Sequence, residues 1–291
     1  MSSLEQYRLS HMRHVSQLDS FRKSWPYFEP LIRKTLGSEP TSQQLLGLGS
    51  KLSEIFQSNA VGRTQSGVSS AGTTWECLVV WYLNLVFAGT HTVAIRPHSS
   101  FTPPSISNAT AVTIGNTRTN TESDLIVFTV PESDSVNEYG FVTIESAISM
   151  DTNRVNVGVV QCKSNWNDNA QVPMLWGLIY ASAGAISTTK NVAIGSNGVS
   201  PSSFASFTYS FVTVPTSRGP FNPTSLAVLR VSALSGGNYW GHPTRNGVAQ
   251  SLSEFFTANF SGSFTGSVSN SMNAYYSANP QVLEQFLSLS F

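Results

Sequence analysis

The chain has 291 residues, 40% of them hydrophobic, enough to bury one large core or two modest ones, so a disordered chain is excluded as the default. Lys and Arg total 16 against 16 Asp and Glu, so the overall positive field of a typical nucleic-acid binder is missing and any such surface must come from local charge distribution. No apolar run approaches the roughly 18 to 20 residues of a membrane-spanning helix, and Met1 to Arg13 is too polar for a signal-peptide core, so a cytoplasmic protein with no membrane partner is expected.

From Leu4 to Gln57 apolar residues recur at helical spacing: Leu18, Phe21 and Trp25, then Leu31, Ile32 and Leu36, then Leu45, Leu46, Leu52, Ile55 and Phe56. Pro26, Pro30 and Pro40 punctuate the run, which predicts short helices forming an N-terminal helical subdomain over residues 1–60. Its basic residues, Arg8, Arg13, Arg22, Lys23, Arg33 and Lys34, fit solvated outer helix faces or contacts to nucleic acid.

Val61 to Thr74 reads as a Gly/Ser/Thr linker, and Trp75 to Phe87 as a helix apolar on nearly every side and therefore buried. Glu76 is its one charge. It fits a first-turn carboxylate favoured by the helix dipole, or an acid facing a metal site.

Thr92 to Arg96, Ala111 to Ile114, Asp124 to Val130, Phe141 to Ile148 and Val155 to Lys163 read as strands of one sheet. Asn167 and Asp168 cap an apolar-periodic run, Val172 to Ala183, read as a helix. Val192 to Gly195, Phe207 to Val214 and Leu226 to Val231 read as further strands. Val248 to Ala258 and Pro280 to Leu289 read as helices, separated by a Ser/Gly/Asn-rich stretch. The mixed order predicts an α/β (α+β) fold. Cys77 and Cys162 fall in buried segments and are too few for a disulfide framework, so both are expected as free thiols.

Asp124 opens one core strand and Lys163 closes another, and the two-residue period puts Gln161 on the face of Lys163. A carboxylate, a polar oxygen ligand and a lysine at adjacent strand ends can hold Mg²⁺ and set a water against a phosphodiester. An Asp124–Lys163 salt bridge fits the same spacing. Eight of the 16 acids lie between Glu122 and Asp168, whereas 169–253 has none and carries Lys190, Arg218, Arg230, His242 and Arg245. That pattern suits a metal site beside a phosphate-facing surface, or uneven sampling in a charge-poor chain. Gly236 to His242, with Arg245 beyond, is a glycine-rich aromatic loop suited to close backbone approach and to stacking or phosphate contact. The histidines show no zinc-ligand spacing with either cysteine.

SDLIVF at 123–128, followed by VGVVQCKSNWNDNAQ at 157–171, resembles the PD-(D/E)XK nuclease motif, above all that of type II restriction endonucleases. The group cutting CCGG-containing sites is most similar, with a glutamate-bearing apolar helix (Glu76), an aspartate (Asp124), a Cys-Lys strand end (Cys162-Lys163) and a following Ala-Gln (Ala170-Gln171). The resemblance implies a restriction-endonuclease-like mixed β-sheet core flanked by helices over residues 61–291, with a β-rich DNA-facing lobe near 190–247. It implies a Mg²⁺-dependent site-specific deoxyribonuclease acting on double-stranded DNA as a homodimer or higher homo-oligomer. It makes Asp124 the central metal ligand, Lys163 the lysine that positions or activates water, Glu76 an outer acid, and Cys162 a backbone carbonyl ligand.

The chain departs from the pattern at Gln161, where Asp or Glu is usual; its amide oxygen can join the metal shell but brings no charge. Glu145 is a candidate for a migrated carboxylate. Asn165, Asn167, Asp168, Asn169 and Gln171, with Arg245, are the implied DNA contacts, and the first five also suit helix capping. Two other readings stand beside the nuclease: a non-enzymatic β-rich capsid-like or lectin-like protein, suggested by the low charge, and a catalytically inactive DNA-binding relative, suggested by Gln161.

Overall fold

The computed structural model describes residues 3–58, 67–120, 123–131, 140–163, 192–214, 224, 226–241 and 250–291. Helices α1 (Ser3–Ser16), α2 (Asp19–Leu36), α3 (Ser42–Gly47) and α4 (Leu52–Ser58) come first. α2 runs through Pro26 and Pro30 instead of breaking at them. Both prolines are exposed and lie one turn apart, so the carbonyls deprived of a helical N–H partner lie on the solvent side, while Phe21, Trp25, Phe28, Ile32 and Leu36 are buried on the other.

Helix α5 (Gly67–Phe87) begins earlier than the linker expectation for 61–74 allows. Its C-terminal half is buried on all sides, and a helix so anchored propagates backward at little extra cost through residues without proline. The polar tips of its aromatics find main-chain acceptors: Trp81 Nε1 donates to Phe286 O, Tyr82 Oη to Leu46 O and Trp75 Nε1 to Val212 O.

The strands are β1 (Thr92–Ile95), β2 (Ala111–Ile114), β3 (Thr117–Asn120), β4 (Leu125–Thr129), β5 (Asn156–Lys163), β6 (Val192–Ile194), β7 (Ser206–Thr213), β8 (Tyr239–Gly241) and β9 (Gln250–Ser251). The remaining helices are α6 (Pro104–Ala109), α7 (Gly140–Met150), α8 (Leu226–Leu234), α9 (Phe255–Phe260), α10 (Val268–Ala278) and α11 (Pro280–Ser288). Six strands form one mixed sheet in the order β1-β4-β5-β7-β8-β9, and β3-β2-β6 form a smaller one. The pairs β1–β4 and β4–β5 are antiparallel, and β5–β7, β7–β8 and β8–β9 are parallel. The fold is therefore mixed α/β, and no described helix is long and apolar enough to cross a membrane.

Alternate strand residues feed two cores. Ala94, Leu125, Val127, Val160, Cys162 and Val212 pack with α5, and the buried residues of α2, α3 and α4 belong to the same cluster. Val93, Ile95, Ile126, Phe128 and Val157 face Ile144 and Ile148 of α7, Ile106 of α6 and Tyr7 of α1.

The outer edge of β1 is closed by side chains. Arg8, fully buried and ion-paired to Glu5, donates to Thr92 O and Thr90 O. Asn84 Nδ2 donates to Ala94 O at 2.7 Å, while Ala94 N–H donates to Asn84 Oδ1 at 3.1 Å. Arg96 N–H donates to His11 Nε2 at 3.0 Å. These bonds stand in for the absent neighbour strand, since every buried main-chain polar group needs a partner. Arg8 is thus structural, not a solvated charge, and Arg22, Lys23 and Arg33 are held in helix-surface ion pairs.

Several elements differ from expectation. Residues 141–148 lie in α7, and 226–231 in α8, where strands are predicted. Ile144, Ala147 and Ile148, and Val228, Val231 and Leu234, are buried at helical spacing, which β-branched composition disguises. The Ser/Gly/Asn-rich stretch contains α10, whose start is capped by Ser267 Oγ accepting from Asn270 N–H and whose Val268, Met272 and Tyr276 are buried. Of the helix predicted over 248–258, residues 248–249 lie outside the described residues, 250–251 form β9, and the α-helix α9 starts at Phe255. Within 190–247, β7 and β8 belong to the main sheet and β6 joins β2. The helix predicted over 172–183 lies outside the described residues.

Replacing Asn84 by Leu keeps the volume but strands Ala94 N–H and C=O in the core. It is expected to cost about 2–5 kcal/mol in urea unfolding, and a change below about 0.5 kcal/mol would show that the edge is not sealed this way. Burial, then the charge of His14, pushes the His11 pKa down from 6.5 to about 3. The unfolded chain therefore takes up a proton below pH 6.5 that the folded one refuses, so the stability is full above that pH and declines as pH falls towards 3. Urea midpoints measured from pH 7 to pH 5 should fall more steeply for the native chain than for His11→Gln; equal slopes would contradict this role.

Candidate functional site

Asp124 stands immediately before β4. Continuing the Leu125 to Val160 register by one step sets it opposite Gln161, on the sheet face of Ile126 and Val159. Its Oδ2 accepts from Gln161 Nε2 and, at 2.7 Å, from Cys162 N–H. The local cause is the end of the ladder: Cys162 lies beyond the first residue of β4, so a side-chain oxygen answers its amide where no strand carbonyl remains.

In an extended strand the N–H and C=O of one residue point to the same side, so the Cys162 carbonyl also faces the Asp124 edge. Gln161 is buried at 2% exposure, and its Oε1 accepts from Tyr209 Oη at 3.1 Å, from the neighbouring parallel strand β7. Lys163 follows on the same face at the strand end, half-buried, and makes no ion pair with Asp124. The simple salt bridge that the spacing also permits does not form.

Glu76 sits well inside α5, so the helix-dipole explanation for it fails. Its carboxylate is paired with Arg96 Nε at 2.8 Å. Burial works against the Arg96 charge, but the hydrogen bond and ion pair to Glu76, with the charge of Asp124 behind them, hold its pKa above the usual arginine value. Burial, reinforced by the carboxylates of Asp124 and Glu76 and opposed by Lys163, pushes the Cys162 thiol well up, and burial pushes Cys77 up to about 12. Both cysteines are free and buried, and neither is a nucleophile in this setting.

The Ile95 to Ile126 and Leu125 to Val160 registers carry Arg96, and with it Glu76, to the same end of the sheet as Asp124, Gln161, Cys162 and Lys163. Arg96 and Tyr209 escape sequence reasoning. Arg96 does carry a signal, a charge directly ending the apolar run TVAI, and Tyr209 lies on the alternating face of SFTYSFVT. Glu145 does not reach this end: its carboxylate accepts from Ser105 N–H and, at 2.7 Å, from Ser105 Oγ, capping the start of α6. Asn165, Asn167, Asp168, Asn169, Gln171, His242 and Arg245 lie outside the described residues.

Among the described residues no group of three or more His, Cys, Asp or Glu side chains is arranged as a metal shell. The oxygen donors present are one carboxylate (Asp124), one main-chain carbonyl (Cys162) and the Gln161 amide, a hard-donor set of the kind that suits Mg²⁺ with waters completing the shell. Gln161 turns its Nε2 to Asp124, so its oxygen joins that set only if the amide rotates. Tyr209 Oη can donate or accept, so it can serve the amide in either orientation.

No protein-family model and no curated protein matches the chain.

Proposed function

We propose that the chain is a Mg²⁺-dependent endonuclease of restriction-endonuclease-like architecture that hydrolyses phosphodiesters in duplex DNA at specific sites. The observation that carries the reading is the convergence of Asp124, Gln161 and Lys163 on one sheet face at adjacent strand ends, with Asp124 bonded to Gln161 and to the Cys162 amide. The order of elements supports it. The helix bearing Glu76 is followed by three antiparallel main-sheet strands, and the third pairs in parallel with a later one. The resemblance implies a mixed sheet flanked by helices, and a mixed sheet packed against this helix is consistent with it.

Asp124, the Cys162 carbonyl and a turned Gln161 amide would hold Mg²⁺, which supplies positive charge to the scissile phosphate and acidifies a water. Lys163, unpaired with Asp124, presents an ammonium to the same phosphate and to the attacking water. Tyr209 Oη would accept from Nε2 of the turned Gln161 amide, and Arg96 balances Glu76, keeping the second carboxylate from repelling the phosphate. Cutting both strands calls for two such sites, so the reading includes a homodimer or a higher homo-oligomer.

The neutral Gln161 lends weight to a second reading, a DNA-binding relative that no longer cuts. A capsid-like or lectin-like protein draws less support, because three of the five strand pairs of the main sheet are parallel and helices pack on both its faces.

Incubated with plasmid and phage DNA in Mg²⁺, the protein should give discrete bands, and Lys163→Ala should lower the cleavage rate by about 10²–10⁴-fold. DNA left intact across several divalent metals would overturn the reading, and tight binding without cutting would promote the inactive relative. Gln161→Glu restores a charged ligand and should lower the Mg²⁺ concentration for half-maximal cleavage; an unchanged or higher requirement would remove Gln161 from the metal shell.

A further inference from the structure

Between β1 and β4 the chain forms α6 and the β2–β3 hairpin, and Asp124 stands just before β4. Beside these elements opens a cleft of about 560 Å³ whose lining includes His98, Thr102, Ser107, Arg118, Ser123 and Ile126. Ser123 adjoins Asp124, and Ile126 shares the face of Asp124 and Gln161, so the cleft runs up to the candidate site. None of the described lining residues is acidic.

Arg118 is exposed on β3. Its Nη2 donates to Asn108 Oδ1 at 3.1 Å and to Ser107 O at 3.4 Å, and Asn108 Oδ1 is itself held by Ser196 Oγ at 3.0 Å and Asn197 Nδ2 at 3.3 Å. One nitrogen thus orients the guanidinium, and Nη1 and Nε have no protein partner among the described residues.

His98 is oriented too. Its Nδ1 accepts from Ser100 N–H at 3.2 Å, which places the proton of the neutral ring on Nε2, and the ring lies 4.7 Å from that of His14. Tyr7 Oη donates to Phe101 O, so α1 clamps the loop that carries His98.

We infer that this cleft holds the sugar–phosphate backbone of the DNA strand adjoining the scissile phosphate, with Arg118 as a phosphate contact and His98 Nε2–H as a second donor. The inference rests on the nuclease reading and extends it to residues that the motif does not include. A cleft that presents a pre-oriented guanidinium, with no acid among its described lining residues, suits a phosphodiester anion, and a contact beside the cutting residues falls on the backbone, which positions the duplex without reading its sequence.

The test is fluorescence anisotropy in Ca²⁺ across a salt series, using a duplex that the protein cuts and a random one of equal length. Arg118→Ala should weaken both complexes alike and reduce the slope of log K against log salt by about one unit; Arg118→Lys should recover most of that slope. Circular dichroism checks that both variants fold. An unchanged slope, or a loss confined to the cut duplex, would overturn the inference while leaving the nuclease reading intact. A native chain that neither cuts nor binds any duplex would overturn both.

Discussion

An edge strand buried beneath helices must have its outward N–H and C=O groups answered, and at β1 the answer comes from Arg8, Asn84 and His11. The bonds of these three residues bring α1 and α5 against one strand. The same contact sets Arg96, held at its backbone by His11, within reach of Glu76 on α5. It also fixes the loop after β1, because Tyr7 on the same helix holds Phe101. Without the sealed edge, neither the ion pair at the sheet end nor the wall of the cleft beside it has a fixed position. Glu5 extends the seal by accepting from Gly89 N–H and Tyr275 Oη, which draws α10 to the same place.

At the opposite side of β4 the relevant fact is where the ladder stops. Asp124 takes the amide that the shorter strand leaves unmatched, which binds a potential metal ligand into the backbone structure. Such a carboxylate is pre-oriented, and a pre-oriented charge stabilises a transition state without reorganising when the reaction occurs. The neutral Gln161 lowers the negative charge at the site by one relative to the usual pattern. Under the proposed nuclease reading, that would lower both metal affinity and phosphate repulsion.

The sheet, the buried helix and the pairing of Asp124 with the strand of Lys163 are legible in the sequence because they rest on apolar runs and two-residue alternation. The misread elements share one cause: in residues 141–148 and 226–231 a β-branched composition coexists with helical spacing of the buried positions, and the packing decides. α10 is hidden by Ser and Asn that cap or sit on its surface. Arg96, Tyr209 and Arg118 belong to the site or its approach only through contacts between distant segments, 20 residues apart for Arg96 and Glu76 and 48 for Tyr209 and Gln161, and no local pattern encodes such pairings.

The most direct measurement is anomalous diffraction from crystals grown with Mn²⁺. The account predicts one peak coordinated by Asp124, the Cys162 carbonyl and Gln161 Oε1, with the Gln161 amide turned from the orientation it has here, and no peak in Asp124→Asn crystals. A protein that cuts DNA in Mn²⁺ but shows no metal at these atoms would contradict it.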